Sequence, residues 1–134
     1  MATRERIPPQ NLEAEQSLLG SLLIDKDAVT KIADRVRPED FYRESHLHIF
    51  EAMLQLYERH EPIDILSLGN RLEEQGHLQR VGGRAYLVEL SNMVPTSANC
   101  EHYADIVQKK ATLRRIITAA TEITHIGYEE DEDV

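Results

Sequence analysis

Few residues of this 134-residue chain combine the types and spacing that metal chemistry requires. Its six histidines are scattered. His46 and His48 are two residues apart, so on a helix they point to different faces and cannot share a metal ion. The chain has no His-Glu-x-x-His segment and a single cysteine, so neither a zinc site nor an internal disulfide is expected. We expect these histidines on the surface or hydrogen-bonded in the core, and no metal ligands.

The sequence also offers no group arranged for catalysis. Cys100 lies in the predicted first turn of a helix, where a thiolate is favoured, but no base is identified beside it. The adjacent Glu73 and Glu74 are charges on an exposed segment and not an acid–base pair in an apolar cleft. The phosphate-binding motif G-x-x-x-x-G-K-[ST] is absent, and Gly82-Gly83 lacks the lysine that this motif requires. We predict no catalytic residue, no bound cofactor and no DNA-stimulated ATP hydrolysis for this chain.

The charge balance argues against tight nucleic-acid binding by this chain. Its net charge is −9, and acidic residues occupy the whole of the run 129–133. Such a surface does not suit phosphate binding through counterion release. One basic group stands out, and it is either a solvated helix face or an interface for an acidic partner. This group comprises Lys109, Lys110, Arg114 and Arg115.

Composition places the chain among globular proteins. Apolar residues make up 41% of it and charged residues 29%, as in ordinary globular domains. No apolar run approaches the ~20 residues that span a membrane, and the first residues lack the apolar stretch of a secretory signal. The single cysteine fits a reducing compartment. We expect a cytoplasmic location and no membrane partner.

The apolar residues recur at helical spacing, so the elements that would carry any site are helices. Asn11 is placed to cap a first helix, with Glu15 in its first turn, where the helix dipole favours a negative charge. A second helix is predicted over 28–36. Ser45 and Asp64 are placed to cap two more helices.

The β-branched clusters that are typical of strands are missing, and turn signals recur at short intervals. The predicted fold class is therefore all-α. Residues 1–100 are expected to form a small helical globule of about five helices, and residues 101–134 a second unit.

The second unit is dominated by one long helix. From 98 to 126 there is neither proline nor glycine, which predicts about 29 helical residues and a length of ~43 Å. A compact domain of about 100 residues is only roughly 33 Å across, so this helix must protrude. The acidic run that follows resembles a loop, which makes the helix the first half of a helical hairpin. Its distal part carries apolar residues whose exposure is typical of a partner surface: Ile116, Ile117, Ile123 and Ile126.

Several segments resemble the DnaB family of bacterial replicative DNA helicases. RIPPQNLEAEQSLLGSLL (residues 6–23) resembles the opening of these helicases. PEDFYRESHLHIFEAM (38–53), PID (62–64), GGRAYLVEL (82–90) and VPTSANCEHYADIVQKKATLRR (94–115) resemble later parts of the same domain. Each segment alone is an ordinary helix pattern, but their order and spacing together are specific and cover nearly the whole chain.

The resemblance implies the N-terminal collar domain of a hexameric, ATP-dependent 5′–3′ DNA helicase. Such collars act in ring assembly through pairs of subunits, and they dock a helicase loader and the C-terminal helical domain of primase. The ATP, the magnesium ion and the single-stranded DNA would belong to a RecA-like motor domain, which this chain lacks. The alternative is a free-standing helical adaptor that binds another protein through its long helix.

The resemblance also suggests which residues face primase. Tyr86 matches the GG-x-x-Y-L element of the globule where primase docks, and Ile117 and Ile123 match the apolar stripe of the hairpin helix. A core position remains the alternative for Tyr86. For the isoleucines the alternative is packing against the second hairpin helix or a second subunit. Three further residues are candidates for the same interface: Ile116, Ile126 and Arg114.

Overall fold

The computed structural model describes residues 6–129, and this part of the chain contains helices and no strand. In chain order the elements are α1 (Leu12–Ile24), α2 (Ala28–Ile32), a 3-10 turn (Pro38–Asp40), α3 (Glu44–Glu58), α4 (Ile65–Glu74), α5 (Gly83–Ser91) and α6 (Cys100–Tyr128). The prediction of an all-α fold, with about five helices before a long one, is confirmed. Four of the five residues of the acidic run, 130–133, lie outside the described part of the chain.

Local capping chemistry starts α1 and α4 as the sequence predicts. The Asn11 side chain accepts a hydrogen bond from the backbone N–H of Ala14 at 2.9 Å. The Asp64 carboxylate accepts one from the N–H of Ser67 at 2.7 Å. Each bond satisfies a backbone donor that the first helical turn leaves without a partner.

The start of α3 differs from the prediction. Ser45 is not its cap, because the helix already begins at Glu44, and the N-cap residue Arg43 has no acceptor to offer. The acceptor comes instead from α1. The Glu15 carboxylate receives the backbone N–H of Tyr42 at 2.7 Å and that of Arg43 at 3.4 Å. A carboxylate from a distant helix thus lies where the α3 dipole favours negative charge.

The second predicted helix is shorter than its apolar pattern suggests. Helix α2 ends at Ile32, although Val36 is still buried. One more turn follows Ile32, where the Val36 N–H donates to the Ile32 carbonyl oxygen at 3.1 Å. Pro38 prevents any further helix, because it disfavours helical backbone at the residue before it. Arg37 accordingly adopts an extended conformation (φ −109°, ψ 154°).

Helix α1 is the centre of the core. Except for Gln16, all residues from 14 to 22 are buried, so α1 is covered on every side. It packs against α2, α3, α5 and α6. Around it the core is built mainly from leucine, isoleucine, valine and alanine side chains. A helix that is buried on all faces holds the surrounding helices at fixed positions.

Helix α6 contributes to the core of the globule only through its first three turns. Its buried residues recur every three or four positions and end at Ala111; they are Cys100, Ala104, Val107 and Ala111. Beyond Ala111 the described residues of α6 are exposed, apart from the half-buried Arg114. The predicted protrusion of the long helix is therefore confirmed. The predicted division into residues 1–100 and 101–134 stays a prediction.

Candidate partner-binding site

The distal half of α6 presents an apolar surface, which we call the distal stripe. Its four isoleucines each expose between 51% and 70% of their surface: Ile116, Ile117, Ile123 and Ile126. At 3.6 residues per turn, Ile116 and Ile123 lie about 120° around α6 from Ala104 and Ala111, which face the globule. No part of the described chain covers this stripe. Contiguous exposed apolar residues of this kind mark binding surfaces.

The stripe continues into a groove beside the N-terminal arm, which we call the arm groove. Its volume is about 320 Å³, and its walls are mainly apolar. Ile7 from the arm is 72% exposed, so the groove is open to solvent. The groove is lined by Arg6, Ile7, Pro8, Tyr42, Arg114, Ile117 and Thr118. Ile117 belongs to both surfaces and connects them.

Arg114 holds the arm groove together. Its Nη1 donates to the carbonyl oxygen of Pro9 at 2.8 Å, and its Nη2 donates to the carbonyl oxygen of Asp40 at 2.7 Å. The guanidinium also lies 5.5 Å from the ring centroid of Tyr42, a cation–π contact. Arg114 therefore ties α6 to the N-terminal arm and to the 3-10 turn. Its predicted contact with a partner stays a prediction.

The neighbouring Arg115 adds a second tie to the same turn. Its Nη1 donates to Asp40 Oδ1 at 2.9 Å, while Asp40 Oδ2 accepts from the backbone N–H of Arg37 at 2.9 Å. The Asp40 carboxylate is almost completely buried, so the arginine compensates a charge that would otherwise be costly. Two of the four residues in the predicted basic group thus bind within the chain.

Tyr86 lies half-buried on α5, with its ring packed on a histidine. The rings of Tyr86 and His46 are nearly parallel, with an angle of 6° and centroids 6.0 Å apart. Gly82 precedes α5 with φ +110°, and a Cβ there would come within 2.8 Å of the Tyr86 Cβ. The glycine in the GG-x-x-Y segment is thus required both by its backbone conformation and by the space that Tyr86 occupies.

The Tyr86 hydroxyl ends a buried series of hydrogen bonds, which we call the relay. His46 Nε2 lies 2.7 Å from the Tyr86 oxygen, and Gln16 Nε2 donates to that oxygen at 3.2 Å. On the other side of the ring, His46 Nδ1 lies 2.8 Å from Glu15 Oε1. His46 is fully buried and Glu15 is 2% exposed. The relay consists of Glu15, His46 and Tyr86, and it joins α1, α3 and α5.

The relay reaches the arm groove through one backbone bond. Glu15 accepts the N–H of Tyr42, and the ring of Tyr42 lines the groove beside Ile117. Two candidate residues that the sequence predicts separately are therefore connected through the relay and Tyr42. Tyr86 lies at one end, and Ile117 at the other.

The sequence predicts neither the burial of Glu15 nor the hydrogen bonds of His46. Glu15 was expected in the first turn of α1, where the helix dipole favours a negative charge, but its burial was not predicted. Of the two predicted environments for a histidine, the surface or a hydrogen-bonded core position, His46 has the second. The available signal was the run of small and apolar residues over 17–24, because it predicts a helix covered on all sides, on which a carboxylate needs donors.

Metal clusters and membrane-spanning helices were sought among the described residues. Within residues 6–129, no group of three or more His, Cys, Asp or Glu side chains is arranged to hold a metal ion. None of the helices in that part of the chain has the length and apolar character needed to cross a membrane. Cys100 is a free, buried thiol at the start of α6.

Comparisons with known proteins define the family. The family model of the DnaB-like helicase N terminal domain matches residues 7–109. The replicative DNA helicase DnaC of Bacillus subtilis (strain 168) is 45% identical over 130 residues, which are 97% of this chain and 29% of that protein. The replicative DNA helicase DnaB of Mycobacterium leprae (strain TN) is 46% identical over 123 residues, 92% of this chain and 20% of that protein.

Solved structures agree with the sequence matches. The N-terminal domain of DnaB helicase from Mycobacterium tuberculosis superimposes with a TM-score of 0.91 at 46% identity, covering 95% of this chain and 90% of that one. A DnaB-like replicative helicase, whose structure was determined together with its interactions with primase, gives a TM-score of 0.77 at 28% identity. That match covers 86% of this chain and 27% of that one.

The fold and the site thus define an all-α domain with a projecting apolar helix. The chain belongs to the family of DnaB-like helicase N-terminal domains. It spans less than a third of the length of the curated relatives that it matches.

Proposed function

We propose that this chain is the collar domain of a hexameric replicative DNA helicase and that it docks primase. The observation that carries the proposal is the distal stripe, an apolar surface that continues into the arm groove. Family membership supports the assignment to a helicase. The similarity to a helicase solved with its primase interactions supports the choice of partner.

The whole protein would be an ATP-dependent 5′–3′ DNA helicase of the cytoplasm, acting with a loader. ATP, magnesium and single-stranded DNA would bind outside this chain, because its sequence has no phosphate-binding loop and its residues do not fit such a site. The collar would contribute ring assembly and docking, without ATP hydrolysis of its own.

The energetics favour a protein partner at the stripe. Fully burying one exposed isoleucine side chain is worth about 1.5–3 kcal/mol. The four stripe isoleucines still expose 51% to 70% of their surface, so roughly half or more of that gain remains for a complex. The four isoleucines spread over about half the circumference of α6, and such an exposed apolar helix surface packs well against another helix or in an apolar groove. The C-terminal helical domain of primase is the partner that we assign to it, with Tyr86 as a second contact on the globule.

The test replaces two stripe residues by aspartate. We expect Ile117→Asp with Ile123→Asp to keep the helical circular dichroism and the melting temperature, because both side chains are exposed. Binding to the primase C-terminal domain should weaken at least about tenfold, since a docked carboxylate would be buried without a partner. The control is His125→Asp, which adds a carboxylate to the same part of α6 but about 160° around the helix from Ile123, and it should bind primase normally.

Three results would contradict the assignment of the distal stripe to primase docking. Unchanged primase affinity in the stripe variant would refute primase docking there. Loss of self-association in light scattering, with primase binding intact, would make the stripe a contact between subunits. A large fall in melting temperature would show that the isoleucines are part of the core.

A further inference from the structure

His46 is a fully buried polar side chain with both ring nitrogens engaged. It lies on α3, and its neighbours come from other elements: Glu15 from α1 at 2.8 Å and Tyr86 from α5 at 2.7 Å. The Phe41 ring packs edge-on against it, with centroids 6.5 Å apart. A buried imidazole with two such partners is oriented much more strictly than an apolar side chain, which only has to fill its volume.

The partners decide where the imidazole proton lies. The Glu15 carboxylate is an acceptor, since the backbone N–H groups of Tyr42 and Arg43 both donate to it. His46 Nδ1 must therefore donate to Glu15. In the neutral ring, Nε2 is then an acceptor, and the O–H of Tyr86 is the donor that faces it.

The Tyr86 hydroxyl is oriented as a result. Its proton points inward to His46, and its oxygen lone pairs face Gln16 Nε2 at 3.2 Å and Arg43 Nη1 at 3.5 Å. Both of these groups are donors, so every hydrogen bond from Glu15 to Arg43 pairs one donor with one acceptor. The bond from Arg43 is the longest, and Arg43 is exposed, so a donor from a partner can replace it.

We propose that His46, as the Nδ1–H tautomer, is a positioning residue for partner docking. Through Nε2 it holds Tyr86 with its oxygen presented as an acceptor, and through Glu15 it holds the Tyr42 backbone that forms the arm groove. The docking partner therefore supplies an N–H or O–H donor to Tyr86. This inference rests on the proposed docking function and adds the tautomer, the positioning residue and the chemistry of the contact.

The first test needs no variant. Histidine labelled with ¹⁵N in the intact chain gives distinct Nδ1 and Nε2 shifts in long-range ¹H–¹⁵N spectra. At neutral pH we expect the His46 pattern of a protonated Nδ1 and an unprotonated Nε2. A protonated Nε2, alone or together with Nδ1, would overturn the proposal.

The second test is a double-mutant cycle on primase binding. His46→Asn keeps a donor near the Nδ1 position and removes the group that meets Tyr86, while Tyr86→Phe removes the hydroxyl alone. We expect each change to weaken binding about three- to tenfold and the double variant to be no weaker than either, because both break the same bond. His48→Asn, on the same helix outside the relay, is the control and should bind normally.

The remaining outcomes are also decisive. Normal binding by His46→Asn, or losses that multiply in the double variant, would refute positioning by His46. If His46→Asn fails to fold, Tyr86→Phe answers the question, because the ¹⁵N shift of the unprotonated Nε2 should then change as it loses its donor, while Nδ1 stays protonated. An unchanged Nε2 shift would refute the contact. If the unaltered chain does not bind primase at all, the docking function fails, whereas the tautomer and the Tyr86→Phe spectrum still decide whether His46 orients Tyr86.

Discussion

Asp25 and Ser97 form a hydrogen bond between residues that lie 72 positions apart. The Ser97 hydroxyl donates to Asp25 Oδ2 at 2.6 Å, which ties the end of α1 to the loop before α6. This bond stabilises the ionised carboxylate and is the main reason why the pKa of Asp25 lies below its ordinary value of 3.8. A hydrogen bond from the backbone N–H of Asp27 has the same, smaller effect. A lowered pKa in the folded state means that the carboxylate stabilises the fold when ionised.

The pH dependence of Ser97→Ala tests this bond. The stabilisation is present above the unfolded pKa and is lost as pH falls through the folded pKa. We therefore expect the unaltered chain to melt higher than Ser97→Ala near neutral pH, with the difference shrinking from about pH 5 downwards. Ser91→Ala is the control, since its hydroxyl donates only to the carbonyl of Val88 within α5. A melting difference for Ser97→Ala that stays constant into acid would contradict the prediction.

Helices α1 and α5 cross in close contact at Gly20. An added Cβ there would overlap the carbonyl oxygen of Leu90 and lie 3.6 Å from the Met93 Cβ. The obstacle is backbone, so the two helices must move apart and cannot simply rotate a side chain. Because α1 is the centre of the core, such a shift would disturb its other contacts as well.

We expect Gly20→Ala to lower the free energy of unfolding by about 1–3 kcal/mol net, although alanine favours helices. Urea denaturation at fixed pH measures this change. In Gly127→Ala, by contrast, the added Cβ meets no atom of the described residues within 4 Å. This control should be neutral or up to about 1 kcal/mol more stable. Equal stability of Gly20→Ala and the unaltered chain would show that the crossing tolerates a side chain.

The first half of helix α6 packs against the globule, and its distal half is free to bind a partner. Its first turns are tied to the α2 region, where Arg35 pairs with Asp105 and Gln108 donates to the Arg35 carbonyl. Arg114 and Arg115 then attach the middle of α6 to the 3-10 turn. The distal stripe begins directly after these ties, so the globule determines the direction in which the stripe projects.

At the scale of the whole molecule we expect binding without catalysis. The purified chain should show no DNA-stimulated ATP hydrolysis, because its sequence contains no phosphate-binding loop. A coupled ATPase assay with single-stranded DNA measures this, with the full-length helicase of Bacillus subtilis as the positive control. Turnover above background that survives repurification would contradict the expectation.

The sequence by itself determined the all-α class, two helix starts and the protruding helix. Asn11 and Asp64 cap helices by accepting from donors three residues away. Because residues 98–126 contain neither proline nor glycine, they can form one continuous helix. Such features depend on near neighbours in the chain, which is why residue spacing predicts them.

Only the tertiary structure decided the environment of Glu15, His46 and Arg114. Glu15 meets the start of α3 from 27 positions away, His46 meets Glu15 from 31, and Arg114 reaches Pro9 across 105. No local pattern encodes which of many donors and acceptors meet once the core closes. The sequence therefore predicts the apolar stripe, while packing around α1 creates the relay and the groove that connect this stripe to Tyr86.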